Sequence, residues 1–311
     1  MSVDLDALAQ RIAGELARAD SAGAGGGAPA ATAGPAPRRV TTASQPPGIV
    51  ASPPGVSYVR SQARIADYID HTLLKAEATR AEVETLCKEA VEHGFASVCV
   101  NPVWVPLCAD RVRGSSVKVC TVIGFPLGSN APETKAFEAA LAARQGAGEV
   151  DMVANVSAMK SGDWTLVARD VKAVVDAAGG ALVKVIVESA ALTPVEIIKA
   201  SAIAREMGAN YVKTSTGFHP AGGASAEAVA LMRLTVGDAL GVKASGGVRD
   251  CATALKMINA GATRIGTSSG VTMAQCLGPG PLPLGELLAT AEAHTGKCLT
   301  CAAPQGGASA Y

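Results

Sequence analysis

The chain has 311 residues, of which 49% are hydrophobic, so it can form one large core or two ordinary ones. Lysine plus arginine and aspartate plus glutamate each number 27, so no net charge attracts nucleic acid or an anionic membrane. Aromatic residues make up 3% of the chain, too few for stacking on bases, and no apolar run reaches membrane-spanning length. We therefore expect neither nucleic acid nor a membrane as a partner.

Two segments precede the main domain. Residues 1–20 predict a short amphipathic helix, and residues 21–57, dominated by glycine, alanine and proline, predict a flexible linker. The helical spacing is that of Leu5, Leu8, Ile12 and Leu16. The first twenty residues contain acidic side chains and no apolar signal core, which predicts a cytoplasmic protein.

From residue 58 to about 290, short strand-like segments alternate with amphipathic helices. The strand candidates are YIDHTLL, SVCVNP, VKVCTVIGFP, EVDMVANV, LVKVIVES, YVKTSTG, GVKASGGV and RIGTSSG. Eight such units, with strands apolar enough to be covered on both faces, predict an α/β protein with a parallel (β/α)8 barrel, the TIM barrel. A doubly wound open sheet is the alternative, but the first strand lacks a glycine-rich turn after it. Residues 291–311 are predicted to be a C-terminal tail.

Three lysines on consecutive predicted strands each follow a valine, at Lys184, Lys213 and Lys243. Interior positions on adjacent barrel strands approach one another, so these ammonium groups would repel unless one were neutral or a carboxylate lay between them. Desolvation and a neighbouring cation both favour the neutral amine, which is a nucleophile toward carbonyl carbon. We predict Lys213 as a Schiff-base amine, Lys243 as the neighbouring cation and Asp151 as the acid or base. The alternative is structural ion pairing with Asp151 and Glu188.

Glycine and serine follow the last two strands, in ASGGVRD and GTSSG. Barrel enzymes commonly bind phosphate at this place through backbone N–H groups and a helix N-terminus. Gly246 and Gly247 let the backbone approach an anion, and Ser268 and Ser269 add hydroxyl donors. The pattern predicts a small phosphorylated substrate.

Histidine and cysteine suggest no cofactor chemistry. The four histidines form no HxH or HxxxH pair, so we predict no metal site and a structural role for His71 on the first strand. Most of the eight cysteines lie in apolar segments and are interpreted as buried hydrophobes. Cys298 and Cys301 have redox or metal spacing in CLTC, but no second pair matches them.

Eight segments between residue 69 and residue 270 resemble, in this order, those of the class I deoxyribose-phosphate aldolases. They are IDHTLLK, SVCVNP, TVIGFPLGSN, GAGEVDMVANV, KVIVES, GANYVKTSTGF, VKASGGVR and RIGTSSG. The resemblance implies a TIM barrel that reversibly cleaves 2-deoxy-D-ribose 5-phosphate to acetaldehyde and D-glyceraldehyde 3-phosphate in deoxyribonucleoside catabolism. It implies no metal or organic cofactor. A homodimer is expected, since barrels of this type often dimerise.

The resemblance also implies roles for individual residues. Lys213 is similar to the family's Schiff-base lysine, Lys243 to the second lysine that perturbs it, and Asp151 to the aspartate that moves protons. Asp70 and Cys99 match positions that line the substrate end of the pocket.

Further implied roles concern the phosphate and the tail. The residues that match the family's phosphate region are Gly217, Gly246, Gly247, Ser268 and Ser269. Tyr311 is similar to a C-terminal tyrosine that reaches the site in some members. Phe218 and His219 follow KTSTG where some members have a lysine, so the phosphate would depend more on backbone N–H groups or on Arg249.

Two other functions remain open from the sequence. The first is a Schiff-base aldolase or transaldolase with a different donor, although small residues around Lys213 and the absence of an aromatic pocket wall favour acetaldehyde. The second is a non-catalytic phosphosugar-binding barrel. The trio Lys213, Lys243 and Asp151 separates them, because a protein that only binds has no need of two lysines held close together.

Overall fold

The computed structural model describes residues 62–293. Its centre is a closed barrel of parallel strands, in which each strand pairs with the next along the chain and the last pairs with the first. The barrel strands, labelled β1 to β8, are Ile69–Leu73, Ser97–Val100, Lys118–Ile123, Glu149–Val153, Leu182–Ile186, Tyr211–Lys213, Gly241–Ser245 and Arg264–Thr267. The predicted (β/α)8 barrel is confirmed.

Helices cover the outside of the barrel. Labelled α1 to α10, they are Arg80–His93, Val105–Arg111, Pro132–Arg144, Val156–Lys160, Trp164–Ala177, Pro194–Glu206, Ala226–Val236, Cys251–Asn259, Gly270–Leu277 and Leu284–Ala293. Short 3-10 turns are present at Ile65–Tyr68, Pro102–Trp104 and Ser189–Ala191. The final helix continues past residue 290, where the sequence predicted the domain to end.

Local sequence explains where several helices begin and end. α1 starts with a capping box in which Thr79 accepts from the backbone of Glu82 and Glu82 accepts from that of Thr79. Thr193 and Glu196 form the same box at α6, with proline as its first residue. Gly94 ends α1 in the left-handed conformation, at φ 63°, which glycine adopts without steric cost.

The strands alternate between two environments with a period of two residues. Valines, isoleucines and a methionine such as Val150, Met152 and Val212 pack into the apolar layer beneath the helices. The residues between them, such as Asp151 and Lys213, contact one another across the barrel interior. The fold therefore places charged side chains inside the barrel and apolar side chains outside it.

A small antiparallel pair closes the domain. Residues Gln62–Ala63 pair with Leu282–Pro283, so the start of the described chain is joined to the segment just before the last helix. Within residues 62–293 no helix is both long enough and apolar enough to span a bilayer.

Candidate active site

The two lysines predicted for Schiff-base chemistry meet at one carboxylate oxygen. Lys213 and Lys243 are direct neighbours in the register of β6 and β7. The Nζ of Lys213 donates to Oδ2 of Asp151 at 2.8 Å, and the Nζ of Lys243 donates to the same oxygen at 2.7 Å. Lys213 keeps 3% of its side chain exposed, whereas Lys243 and Asp151 have none. The predicted trio is therefore one contiguous group, with Lys213 on its accessible side.

Lys184 binds the other oxygen of this carboxylate. Its Nζ donates to Oδ1 of Asp151 at 2.8 Å and to Oε2 of Glu149 at 2.5 Å. The thiol of Cys120 also donates to Oδ1 of Asp151, with a sulfur–oxygen distance of 3.1 Å. The sequence placed Lys184 inside the barrel but gave it no role; the structure shows that it holds the carboxylate from the side opposite Lys213.

Asp70 and Arg264 continue the charged group toward the start of the strands. Oδ2 of Asp70 lies 2.5 Å from Nζ of Lys243, and its Oδ1 accepts from Nη1 of Arg264 at 2.5 Å and from the hydroxyl of Ser97 at 2.6 Å. Arg264 also donates both Nη atoms to Glu149, each at 3.2 Å.

Asp70 was predicted to line the substrate end of the pocket. Here it has no exposed surface and its contacts are with buried cations. Glu149 and Arg264 had no predicted role, although each lies two residues from an inward-facing position, Asp151 and Gly266, on its own strand. That spacing was the signal that could have identified them.

These contacts shift the protonation of the whole group. Burial raises the pKa of Asp151, but the three surrounding lysines outweigh it and hold that pKa well below its usual range. Burial likewise raises the pKa of Asp70, and Arg264 with two of the lysines lowers it further than burial raises it. Burial lowers the pKa of Lys184, Lys243 and Arg264, but the carboxylates reverse this and raise all three above their usual values.

In the described part of the chain, these ion pairs link four cations to three carboxylates. We call this set the barrel network; its members are Lys184, Lys213, Lys243, Arg264, Asp70, Glu149 and Asp151. When every member is ionised the network carries one uncompensated positive charge. It is balanced when one lysine is neutral, as a Schiff-base nucleophile must be.

The loops predicted to bind phosphate lie close together above β6 and β7. The amide of Ala224 donates to the carbonyl of Gly246 at 3.0 Å. A Cβ added to Gly223 would lie 2.1 Å from that carbonyl oxygen, and one added to Gly246 would lie 3.4 Å from Cα of Gly217. Glycine is needed here because the two loops approach backbone to backbone.

The remaining predicted phosphate residues differ in exposure. Gly247 and Ser268 are exposed, whereas Ser269 is buried and precedes the first residue of α9. The amide of Ser269 donates to the hydroxyl of Thr267 at 3.0 Å. The register pairs Ser245 at the end of β7 with Gly266 near the end of β8. Gly247 and Ser268 therefore follow neighbouring strands.

An apolar patch lies beside the barrel network. Cys99, predicted to line the pocket, is fully buried and packs with Leu74, Cys120 and Val122. Phe125 packs against this cluster, and its ring meets that of Phe218 edge to face at 5.2 Å between centroids. The sequence indicated no aromatic pocket wall, and this pair could not be identified from it because its two members are far apart in the chain.

Other predicted features fall outside this group. His71 lies on β1 and its Nε2 is 2.7 Å from Oε2 of Glu89 on α1, consistent with the structural role predicted for it. Tyr311, the Cys298 and Cys301 pair, and the segments 1–20 and 21–57 lie outside the described residues.

One group of potential metal ligands occurs among residues 62–293. Cys99, Cys120 and Asp151 each offer an atom within 4.8 Å of the others. Both oxygens of Asp151 already accept hydrogen bonds from lysine ammonium groups, which would repel a cation placed there. The absence of a metal stays a prediction.

Comparison with known proteins identifies the family. Residues 64–275 match the family model described as DeoC/LacD family aldolase. The chain is 62% identical over 212 residues to the deoxyribose-phosphate aldolase of Geobacillus sp., covering 68% of this chain and 95% of that protein. It is 58% identical over 215 residues to deoxyribose-phosphate aldolase 1 of Bacillus licheniformis, covering 69% and 96%.

Solved structures agree. An aldolase called QR15 matches with a TM-score of 0.65 at 44% identity, over 68% of this chain and 94% of that one. A deoxyribose phosphate aldolase from Aeropyrum pernix, described as a tetramer, matches with a TM-score of 0.64 at 36% identity, over 68% and 89%. The chain belongs to the DeoC/LacD family of aldolases.

Proposed function

We propose that this protein is a class I aldolase that reversibly cleaves 2-deoxy-D-ribose 5-phosphate to acetaldehyde and D-glyceraldehyde 3-phosphate. The observation that carries the proposal is the shared contact of Lys213 and Lys243 with one oxygen of Asp151, at 2.8 and 2.7 Å. The relatives from Geobacillus sp. and Bacillus licheniformis, which match over two thirds of this chain, are deoxyribose-phosphate aldolases.

Lys213 is the proposed nucleophile. Its neutral amine attacks C1 of the open-chain aldehyde, and loss of water gives a protonated imine on Nζ. A base removes the proton of the C3 hydroxyl, the C2–C3 bond breaks, and its electron pair moves into the iminium to form an enamine. D-glyceraldehyde 3-phosphate leaves; protonation of the enamine at C2 and hydrolysis then release acetaldehyde and restore the amine.

Asp151 and Lys243 are the proposed proton-transfer partners. Oδ2 of Asp151 joins the nitrogen atoms of Lys213 and Lys243, so a proton can pass between them through one oxygen. The pKa of Asp151 is lowered and that of Lys243 is raised, which keeps the resting proton on Lys243. The carboxylate also stabilises the positive charge of the iminium at Lys213.

We propose that the phosphate of the substrate binds where the loops after β6, β7 and β8 meet. Gly217, Gly246 and Gly247 carry no side chain that would keep an anion from approaching the backbone, and Ser268 and Ser269 follow β8 beside them. Phe218 takes the position where a lysine would otherwise contact phosphate, so backbone donors carry more of the binding.

Borohydride reduction of the protein with acetaldehyde, followed by peptide mass mapping, tests the proposal. We expect an ethyl group on Lys213 and none on Lys135, a fully buried lysine outside the barrel that serves as the internal control. An adduct on Lys243 would reverse the roles of the two lysines. No adduct, together with no cleavage of 2-deoxy-D-ribose 5-phosphate, would favour a phosphosugar-binding protein.

Four further features are proposed from the sequence. The imine is itself the electron sink, so we expect turnover to be unchanged after dialysis against EDTA, with no metal or organic cofactor required.

Tyr311 is proposed to assist proton transfer at the methyl carbon of acetaldehyde, and replacing it with phenylalanine should lower kcat. A homodimer and a cytoplasmic role in deoxyribonucleoside catabolism remain predictions; the Aeropyrum pernix protein is described as tetrameric.

A further inference from the structure

Two members of the barrel network, Glu149 and Arg264, form no ion pair within the described chain with Lys213, Lys243 or Asp151. Glu149 is the first residue of β4 and Arg264 the first residue of β8, so both lie at the end of the barrel away from the phosphate loops. They bind each other through two contacts of 3.2 Å. Arg264 also lies over the ring of Tyr211, with its Cζ 5.5 Å from the ring centroid.

The chain makes room for this arrangement. A Cβ on Gly241, the register neighbour of Tyr211 on β7, would lie 2.1 Å from Cε1 of the tyrosine ring. Glycine at this position lets the ring stand beneath Arg264 inside the barrel. Glu149 on β4, Tyr211 on β6 and Arg264 on β8 thus lie together at the end of the barrel where the strands begin. We call these three residues the floor.

This floor is connected to Lys213 through two short paths. From Arg264, one path runs through Asp70 to Lys243, with steps of 2.5 and 2.5 Å. From Glu149, the other runs through Lys184 to Asp151, with steps of 2.5 and 2.8 Å. Asp151, which accepts from Lys213, receives both paths. A change of charge at the floor therefore acts on the group that binds the nucleophile.

The formal charges give the direction. With Lys213 protonated, the network contains one more cation than carboxylate; with Lys213 neutral, the two numbers are equal. Arg264 supplies one of the four cations and Glu149 one of the three carboxylates, so removing either charge changes this balance, in opposite directions. Among the three lysines of the network, Lys213 is the one that keeps exposed surface and pairs with a single carboxylate, and it is the one whose amine the proposed chemistry uses.

We propose that Glu149 and Arg264 are positioning residues whose opposite charges set the protonation state of Lys213, and with it the lowest pH at which the aldolase works. The inference rests on the proposed function, because it concerns the amine that forms the imine. Neither residue touches the substrate; both act through Asp151 and Lys243.

Other groups face Lys213 from the surrounding strands and stay constant in the test. Glu188, two residues after β5, accepts from the hydroxyl of Thr216 at 2.6 Å. Cys99 and Cys120 face the same interior from β2 and β3. None of these groups is altered by changes at Glu149 and Arg264.

The test is the pH dependence of turnover and of imine trapping in Arg264→Gln and Glu149→Gln. Losing the arginine cation favours protonated Lys213, so the acid limb should move to higher pH. Losing the glutamate should move it to lower pH. Each shift should be about one pH unit, the effect of a unit charge roughly 10 Å away at an effective dielectric constant near 20.

Matched control variants distinguish an effect of the side-chain charge from a structural effect of the substitution. The double variant Glu149→Gln/Arg264→Gln restores the original charge excess, so its acid limb should return to the wild-type position. Arg264→Lys keeps the cation and should not shift the limb. On the surface, Arg111 and Glu84 form an ion pair of 2.9 Å, and Arg111→Gln and Glu84→Gln should leave the limb unmoved.

The outcomes distinguish the inference from the function on which it rests. Shifts of the same sign in folded Arg264→Gln and Glu149→Gln, or no shift in either, would overturn the inference while leaving the aldolase assignment intact. Since the two variants are predicted to move in opposite directions, the direction of the shift in a single folded variant is enough to support or overturn it. Wild-type protein that traps acetaldehyde on Lys213 but does not cleave 2-deoxy-D-ribose 5-phosphate would overturn the proposed substrate and not the charge relation.

Discussion

Two clusters of buried ion pairs within residues 62–293 differ in how burial acts on them. Inside the barrel, each carboxylate of the network contacts two or more cations, and attraction outweighs burial, so the pKa of Asp151 and Asp70 is lowered. Behind the barrel, Lys135 of α3 and Asp170 of α5 form a single ion pair of 2.7 Å. There burial dominates: it lowers the pKa of Lys135 and raises that of Asp170.

The difference teaches what each cluster contributes. A lone buried pair seldom recovers the cost of removing both charges from water, whereas a network with several partners per charge can. The Lys135 and Asp170 pair instead fixes backbone, since Lys135 donates to the carbonyl of Val153 at 2.8 Å and Asp170 accepts from the amide of Asn155 at 3.2 Å. The outer pair, Lys135 and Asp170, fixes the backbone at the end of β4. The barrel network instead fixes the charges around the proposed nucleophile.

The largest expected effect comes from Lys213→Ala, which removes the nucleophile. We expect kcat/KM for 2-deoxy-D-ribose 5-phosphate to fall on the order of 10⁴-fold or more. The fold should survive, because Asp151 keeps its contacts with Lys184 and Lys243. Steady-state cleavage assays and circular dichroism check this, and activity within about tenfold of wild type would exclude Lys213 as the nucleophile.

Lys243→Leu should have the next largest effect. It removes the cation that contacts both Asp151 and Asp70, so kcat should fall roughly 10²- to 10⁴-fold near neutral pH. The acid limb of the profile should move to higher pH, since one fewer cation opposes protonation of Lys213. An unchanged pH profile, measured from kcat/KM across the acid range, would count against the pairing of the two lysines.

The outer pair should respond in stability rather than in chemistry. Lys135→Met leaves Asp170 buried without its cation, which should lower the free energy of unfolding by about 3–5 kcal/mol. In Lys135→Met/Asp170→Leu neither charge of this pair remains, so most of that loss should be recovered, short of about 1–2 kcal/mol for the unpaired amide of Asn155. Urea unfolding of the single and double variants measures both values.

The pH dependence of Lys135→Met follows from the raised pKa of Asp170. A carboxyl with a raised pKa in the folded state binds its proton more tightly there than in the unfolded chain, so folding is favoured at low pH and that advantage is lost as pH rises through the folded value. Without Lys135 this pKa should rise further. The cost of the substitution should therefore be smaller at pH 5 than at pH 8, and an equal cost at both would contradict the burial argument.

The smallest effect is expected away from both clusters. Thr193→Ala removes a helix N-cap and should lower the free energy of unfolding by about 1 kcal/mol. Thr79→Ala, which breaks the capping box of α1, is its matched partner. Neither should change kcat or the pH profile, and a change in either would mean that surface helix ends are coupled to the barrel network.

The sequence was informative where a local rule sufficed. The alternation of eight strand-like segments with amphipathic helices predicted the barrel, and the polar residues within or just after the strands predicted the trio at Lys213, Lys243 and Asp151 and the glycine-rich loops. The partners of Lys184 and Arg264 could not be derived, because contacts across a barrel depend on the stagger of strands that are distant in the chain. The contact between Phe125 and Phe218 was missed for the same reason.

The antiparallel pair of Gln62–Ala63 with Leu282–Pro283 has a consequence for protein engineering. It brings the beginning of the described domain to within one ten-residue helix, Leu284–Ala293, of its end, a span of about 15 Å. The two ends of the described domain therefore lie close together. New termini could be opened in a surface loop, with a short bridge joining residue 293 to residue 62, and the order of the barrel strands would be unchanged.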